Sequence, residues 1–155
     1  MFLYIILAVF LLDQGSKTLV QMAMYRGETV PVAPPVFYIT YIMNPGAAFG
    51  LLAHRTVLFI GVTFLLLAGV VLGYKRVQSG RTLLKVGLGL IVGGALGNLV
   101  DRLRYGMVVD FLDFRVWPVF NLADTAIVVG AFLLAWTILR NADDERKREP
   151  KLDRS

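Results

Sequence analysis

The chain has 155 residues, 57% of them hydrophobic and 17% charged, with a net charge of +5 and a mean hydropathy of +0.67. That balance excludes an ordinary water-soluble domain of this length and points to the membrane class. With no cysteine, one histidine and three serines, disulfides, thiolate nucleophiles and thiolate metal sites are closed.

A hydrocarbon core of roughly 30 Å needs about 20 apolar residues per helical crossing. The first such segment runs from Phe2 to Val20 and is interrupted by Asp13, Gln14 and Lys17. It has no basic n-region, and Asp-Gln follows its apolar run where a cleaved signal peptide would carry small residues, so it reads as a retained crossing. Asp13 and Lys17 lie four apart on one face, acid first, the favourable order for a helical ion pair. They read either as an interfacial anchor, with the lysine reaching outward, or as part of a functional site. Ser16 and Lys17 are neighbours and point apart, which argues against a serine–lysine dyad.

The segment from Gln21 to Arg55 follows on the outer side. Prolines in Val30–Pro35 forbid a helix there, and Val36–Met43, rich in β-branched and aromatic residues, reads as an extended strand. This segment is too apolar to float in water and is expected to lie against the bilayer surface or the helix ends, as a cover over a site. Asn44-Pro45-Gly46-Ala47-Ala48-Phe49-Gly50 reads as a turn, and its glycines would also let backbone approach an extended peptide. His54 stands beside Arg55 with no second nitrogen or thiolate to complete a metal site.

The second crossing is Thr56–Tyr74, the third Leu83–Val100 and the fourth Leu122–Leu139. Gly69 with Gly73, and Gly93 with Gly97, have the four-residue spacing that lets helices pack closely in lipid. Asn98, Asp101 and Arg102 share a face at the end of the third crossing. Asp101 with Arg102 would mix ion pairing and hydrogen bonding, and the guanidinium would orient a substrate carbonyl or serve as an interfacial anchor. The expectation is one four-helix membrane domain over residues 1–140, with a small extended segment between the first two helices. The polar tail 141–155 reads as solvated and disordered.

Lysine and arginine placement gives the orientation. Lys75, Arg76, Arg81 and Lys85 follow the second crossing, and Arg140, Arg146, Lys147, Arg148, Lys151 and Arg154 follow the fourth. Lys17, Arg26, Arg55, Arg102, Arg104 and Arg115 fall on the other side. That bias puts both termini in the cytoplasm and, lacking a soluble basic domain, speaks against a nucleic-acid partner.

Two acids then carry the question of function. Asp110 lies in Val108-Val109-Asp110-Phe111, and Asp124 lies in Phe120-Asn121-Leu122-Ala123-Asp124, just ahead of an apolar run. Carboxylates near lipid are expensive. If the third and fourth helices are antiparallel neighbours, both acids meet at one rim. A pair of carboxylates flanking a water cannot both ionise cheaply, so one becomes the general base and the other the acid. Geometry alone leaves Asp110 and Asp113 as alternatives for the first member. Two unrelated interfacial acids, a small cation-coupled exporter and a non-catalytic scaffold are the competing readings. An exporter wants its carboxylate at the bilayer midplane, whereas all six acids ahead of the tail lie toward the outer ends.

Five motifs in order resemble those of the lipoprotein signal peptidase (signal peptidase II) family: Asp13–Lys17, Asn44–Gly50, Gly93–Arg102, Val108–Phe111 and Phe120–Asp124. The resemblance implies a cofactor-free aspartyl endopeptidase of the bacterial cytoplasmic membrane, its site near the outer surface. Such an enzyme cuts prolipoproteins on the N-terminal side of a diacylglyceryl-modified cysteine and is the target of the cyclic peptide globomycin. It implies Asp110 and Asp124 as the catalytic dyad. Asp13, Lys17, Asn44, Gly46, Asn98, Arg102 and Asn121 are implied in support of the dyad or in contact with substrate.

Overall fold

The computed structural model describes residues 1–46, 55–74 and 82–148. In chain order the elements are α1 (Phe2–Ala23), β1 (Thr29–Ala33), β2 (Phe37–Asn44), α2 (Thr56–Tyr74), α3 (Thr82–Tyr105), β3 (Val108–Asp113) and α4 (Leu122–Arg148). All four helices contain a window long and apolar enough to cross a membrane, with mean hydropathies from 1.5 to 2.5. The four-helix architecture read from composition is therefore present. Ala47–Gly50, His54, the Lys75–Arg81 loop and the chain from Glu149 onward lie outside the described residues.

The central helix is α3, which packs against α1, α2 and α4. Its glycines explain this position, because they present bare backbone to the neighbours. A Cβ added at Gly87 would come 2.9 Å from the Gly130 carbonyl oxygen of α4, and one at Gly93 would come 2.8 Å from Val9 Cβ of α1. Gly94 abuts the Ala123 carbonyl and Gly97 abuts the Asp13 carboxylate. In lipid, where no hydrophobic force separates helix from solvent, such close approach is what holds helices together. The Gly93–Gly97 pair thus serves packing as expected. The Gly69–Gly73 pair does not: among the described residues, a Cβ added at either glycine would meet nothing within 4 Å. The reason is that, among the described residues, α2 packs substantially only on α3 and turns Val57, Leu65, Val71 and Leu72 outward.

Two helices run beyond their expected ends. α3 continues past Val100 to Tyr105 and stops where Gly106, at φ 70°, donates its N–H to the Arg102 carbonyl at 3.0 Å. This is a left-handed glycine C-cap. α4 continues past Leu139 to Arg148, which corrects the expectation of a disordered tail from Asn141. Ala142, Glu145, Arg146, Lys147 and Arg148 are strong helix formers and extend the helix once it has begun.

The sheet is antiparallel in the order β1-β2-β3. Pro31 is tolerated in β1 because that strand is an edge, bonded to β2 alone. The extended segment expected between the first two helices forms β1 and β2. Its partner β3 comes from the connection between α3 and α4 and aligns Ile42 with Asp110 and Asn44 with Val108. No strand was expected there, because Val108–Asp113 lacks the alternation of a half-buried strand. Five of its six residues are buried, and its extended form comes from pairing with β2.

Candidate active site

The end of the bundle that carries the sheet holds a connected polar cluster at the junction of α1, α3, α4, β2 and β3. From α1, Asp13 and Lys17 point inward and are almost completely buried, at 0% and 2% exposure. Lys17 Nζ lies 2.8 Å from Asp13 Oδ2 and 3.0 Å from Asp101 Oδ2, and donates to Asn98 Oδ1 at 3.0 Å. An ammonium has three donors and no acceptor, so these three partners satisfy it. The i,i+4 ion pair read from the sequence is present, but the lysine reaches into the bundle. Ser16 donates instead to the Asp13 carbonyl of its own helix.

Asp13 also reaches α4. Its Oδ1 accepts the Ala123 amide at 2.9 Å, one of the orphan donors at a helix start. Gln14 joins the cluster by donating to Asp101 Oδ1 at 3.0 Å and to the Gly97 carbonyl at 3.1 Å. Asp101 accepts the Val109 amide at 3.1 Å. The expected partnership of Asp101 with Arg102 is therefore corrected. Asp101 turns inward to Lys17, while Arg102 sets its guanidinium 4.7 Å from the Phe59 ring centroid on α2. Successive residues on a helix point about 100° apart, so only one of them can face α1.

Two asparagines connect this buried cluster to the two acids singled out in the sequence. Asn98 Nδ2 donates to Asp124 Oδ1 at 2.8 Å. Asn121 Nδ2 donates to Asp110 Oδ1 at 2.6 Å, with further contacts to Asn98 Oδ1 at 3.2 Å and the Val109 carbonyl at 3.3 Å. A third asparagine, Asn44 at the end of β2, donates to Asp110 Oδ2 at 2.8 Å and accepts the Gly46 amide at 3.0 Å. The Gly46 contact fixes which end of the Asn44 amide faces the acid. Among the described residues no buried side-chain nitrogen or oxygen lacks a partner.

Asp110 and Asp124 border one cavity of about 400 Å³, together with Asn44, Gly46, Asn98 and Arg102. Its apolar walls are Val62 and Leu66 of α2, Ile127 and Val128 of α4, and the Trp117–Phe120 stretch. Burial and the negative charge of Asp124 push the Asp110 carboxyl up to about 7, against the lowering effect of the Asn44 and Asn121 amides and of Lys17. Asp113 is differently placed. It accepts from the Thr40 hydroxyl at 2.7 Å and the Arg115 amide at 2.9 Å, pairs with the Arg115 guanidinium at 3.4 Å and is absent from the cavity lining. Burial opposes its ionisation, but these three contacts together hold its carboxyl below the usual carboxylate value.

All nine residues singled out in the sequence thus meet at one end of the molecule, six of them on the cavity and Asp13, Lys17 and Asn121 behind it. Asp101 and Gln14 belong to the same cluster, although Asp101 was expected beside Arg102 and neither is among the nine. Their signal was present: Asp101 follows Asn98 by one helical turn, and Gln14 sits between Asp13 and Lys17. The Val109 peptide group and the Trp117–Phe120 wall had no comparable signal, since backbone contacts and cavity walls depend on tertiary packing.

The chain also resembles known proteins. Residues 5–140 match the family model described as signal peptidase (SPase) II. A protein of Pelotomaculum thermopropionicum named lipoprotein signal peptidase is 64% identical over 152 residues, covering 97% of this chain and all of the relative. One of the same name from Moorella thermoacetica is 50% identical over 149 residues, covering 96% of this chain and 99% of that protein. A solved structure described as a bacterial membrane enzyme superposes with a TM-score of 0.88 at 30% identity, covering 98% of this chain and 94% of the other. With four membrane-length helices and a family match across nearly all of them, the chain belongs to the signal peptidase II family, the multi-pass membrane peptidases that remove signal peptides from prolipoproteins.

Proposed function

We propose that this protein is an aspartyl endopeptidase in which water attacks the scissile amide between Asp110 and Asp124. The observation that carries the reading is that both carboxylates border one cavity while an asparagine network holds each from behind. Asp110 stays protonated up to about 7, which suits the acid of the pair, and Asp124 acts as the base. Asp124 takes a proton from water as the water oxygen bonds to the carbonyl carbon, and Asp110 gives its proton to the carbonyl oxygen. The tetrahedral intermediate then returns a proton to Asp110, the C–N bond breaks, and the leaving amine takes the proton held by Asp124. Both acids are restored, and no cofactor takes part. Arg102, Asn44 and Gly46, at the cavity wall, position the substrate backbone.

The substrate of this reading is a prolipoprotein cut on the N-terminal side of a diacylglyceryl-modified cysteine. A second, mostly apolar hollow of about 490 Å³ supports it, because Asp124 borders this one too, beside Phe114, Trp117, Phe120, Val128 and Val129. An acyl chain lying there would keep its lipid contacts while the neighbouring amide entered the cavity. A blocked cyclic peptide of the globomycin type would compete for the same space. The basic-residue bias supports a reading with both termini on the cytoplasmic side of the bacterial inner membrane and the site near the outer surface. Gel analysis of a diacylglyceryl-modified precursor incubated with wild type, Asp110→Asn and Asp124→Asn tests the reading. Cleavage by wild type alone is expected, and full activity in either folded variant would refute it.

A further inference from the structure

Asp101 lies behind the cavity and shares no border with it, yet it is tied to the reacting acids through the backbone of Val109, the residue before Asp110. The Val109 N–H donates to Asp101 Oδ2 at 3.1 Å, and the Val109 carbonyl accepts from Asn121 Nδ2 at 3.3 Å. Val109 itself is fully buried. These contacts fall on the side of β3 away from β2, where the strand would otherwise leave peptide groups unpaired in the interior. One residue on α3 and one at the start of α4 thus grip β3 immediately before Asp110. On the same face of α3, one turn earlier, Asn98 holds Asp124. Two residues one helical turn apart on α3 thus reach both acids, Asp124 directly and Asp110 through Val109.

We propose that Asp101 is a positioning residue of the dyad, registering Asp110 against α3 through the Val109 amide, with Lys17 and Gln14 holding its carboxylate in place. The proposal rests on the reading of Asp110 and Asp124 as the reacting pair. Asp101 needs two acceptor oxygens for this work: Oδ1 takes Gln14, and Oδ2 takes both Lys17 and Val109. Alanine removes every acceptor. Asparagine keeps one oxygen for Val109 and Lys17 and gives up only the bond from Gln14, whose nitrogen still has the Gly97 carbonyl. The two substitutions therefore separate loss of the grip from loss of charge.

The test uses the full-length detergent-solubilised protein and a diacylglyceryl-modified precursor peptide. Asp101→Ala is expected to lower kcat by about 100-fold, the effect of displacing a reacting group by about 1 Å, with KM changed less than about threefold. Hydrogen exchange at the Val109 amide should speed up in that variant. Asp101→Asn should keep kcat within about tenfold of wild type and keep Val109 protected. A folded Asp101→Ala with wild-type kcat overturns the proposal, as does a loss carried mainly in KM. If Asp101→Ala does not fold, Asp101→Asn decides alone: retained turnover with a protected Val109 amide upholds positioning, and a dead enzyme with that amide still protected overturns it. Asp110→Asn, run in parallel, separates this result from the dyad reading, since an active Asp110→Asn would remove the premise itself.

Discussion

Asn121 and Asp124 cap the start of α4 reciprocally. Asn121 Oδ1 accepts the Asp124 amide at 2.9 Å, and Asp124 Oδ2 accepts the Asn121 amide at 3.3 Å. This is the geometry of a capping box, with asparagine at the N-cap and the acid at the third helical position. The motif that starts the helix also sets the acid at the cavity, and the side-chain Nδ2 of Asn121 donates to Asp110. Removing the side chain with Asn121→Ala should cost about 1 kcal/mol for the cap and slow cleavage by about 100-fold through misplaced acids. Asn121→Asp keeps an acceptor for the Asp124 amide but turns the donor to Asp110 into a like charge. Initial rates should fall at least as far as for alanine, and wild-type turnover in Asn121→Asp would contradict this role.

The two acids themselves should be indispensable. Asp110→Asn and Asp124→Asn preserve shape but remove proton transfer, for which a loss of about 1,000-fold is the ordinary scale. Both proteins should still insert in the membrane and purify as folded molecules. Precursor cleavage followed on gels checks this.

A carboxyl raised to about 7 makes Asp110 a pH reporter. If it supplies the proton, catalytic efficiency should decline as pH rises through about 7, read from kcat/KM across a pH series, which reports the free enzyme. Stability follows the same group. Its ordinary value is 3.8, so between there and about 7 the unfolded chain has released a proton that the folded protein still binds. Folding stability from this group is thus complete below 3.8 and is lost as pH rises to about 7. Asp110→Asn should accordingly gain melting temperature relative to wild type at pH 8 and show a smaller difference at pH 4.

Asp113 should behave oppositely. Held below its ordinary value by Thr40 and Arg115, it contributes stability above about 4 that disappears as pH falls through its folded value. Asp113→Asn should therefore lower the melting temperature at pH 7 while leaving cleavage within about threefold of wild type. A loss of activity equal to that of Asp110→Asn would show that the wrong acid has been placed in the dyad.

Glycine substitutions separate packed from open helix faces. Gly94→Ala would drive a methyl group into the Ala123 carbonyl at the start of α4, and overpacking of this kind costs about 1–3 kcal/mol. Gly69→Ala meets nothing within 4 Å and should be neutral or slightly stabilising. Thermal melts of the two variants check this, and equal stability would mean that the α3–α4 contact is looser than its geometry indicates.

The four crossings were legible in the sequence because hydrocarbon thickness imposes a length and a composition on every spanning helix. The ion pair Asp13–Lys17 and the shared face of Asn98 and Asp101 were legible because helical spacing is local. Tertiary structure alone decided the rest. Val108–Asp113 is a strand because β2 lies beside it, and a pairing between distant segments leaves no local period to read. Asp110 stands on the cavity and Asp113 turns to Thr40 because β3 holds them on different surroundings. Asp101 faces Lys17, leaving Arg102 to Phe59, because only a packed α1 determines which side of α3 is inside. Local spacing says which residues share a face; which face meets the acids depends on contacts between segments far apart in the chain.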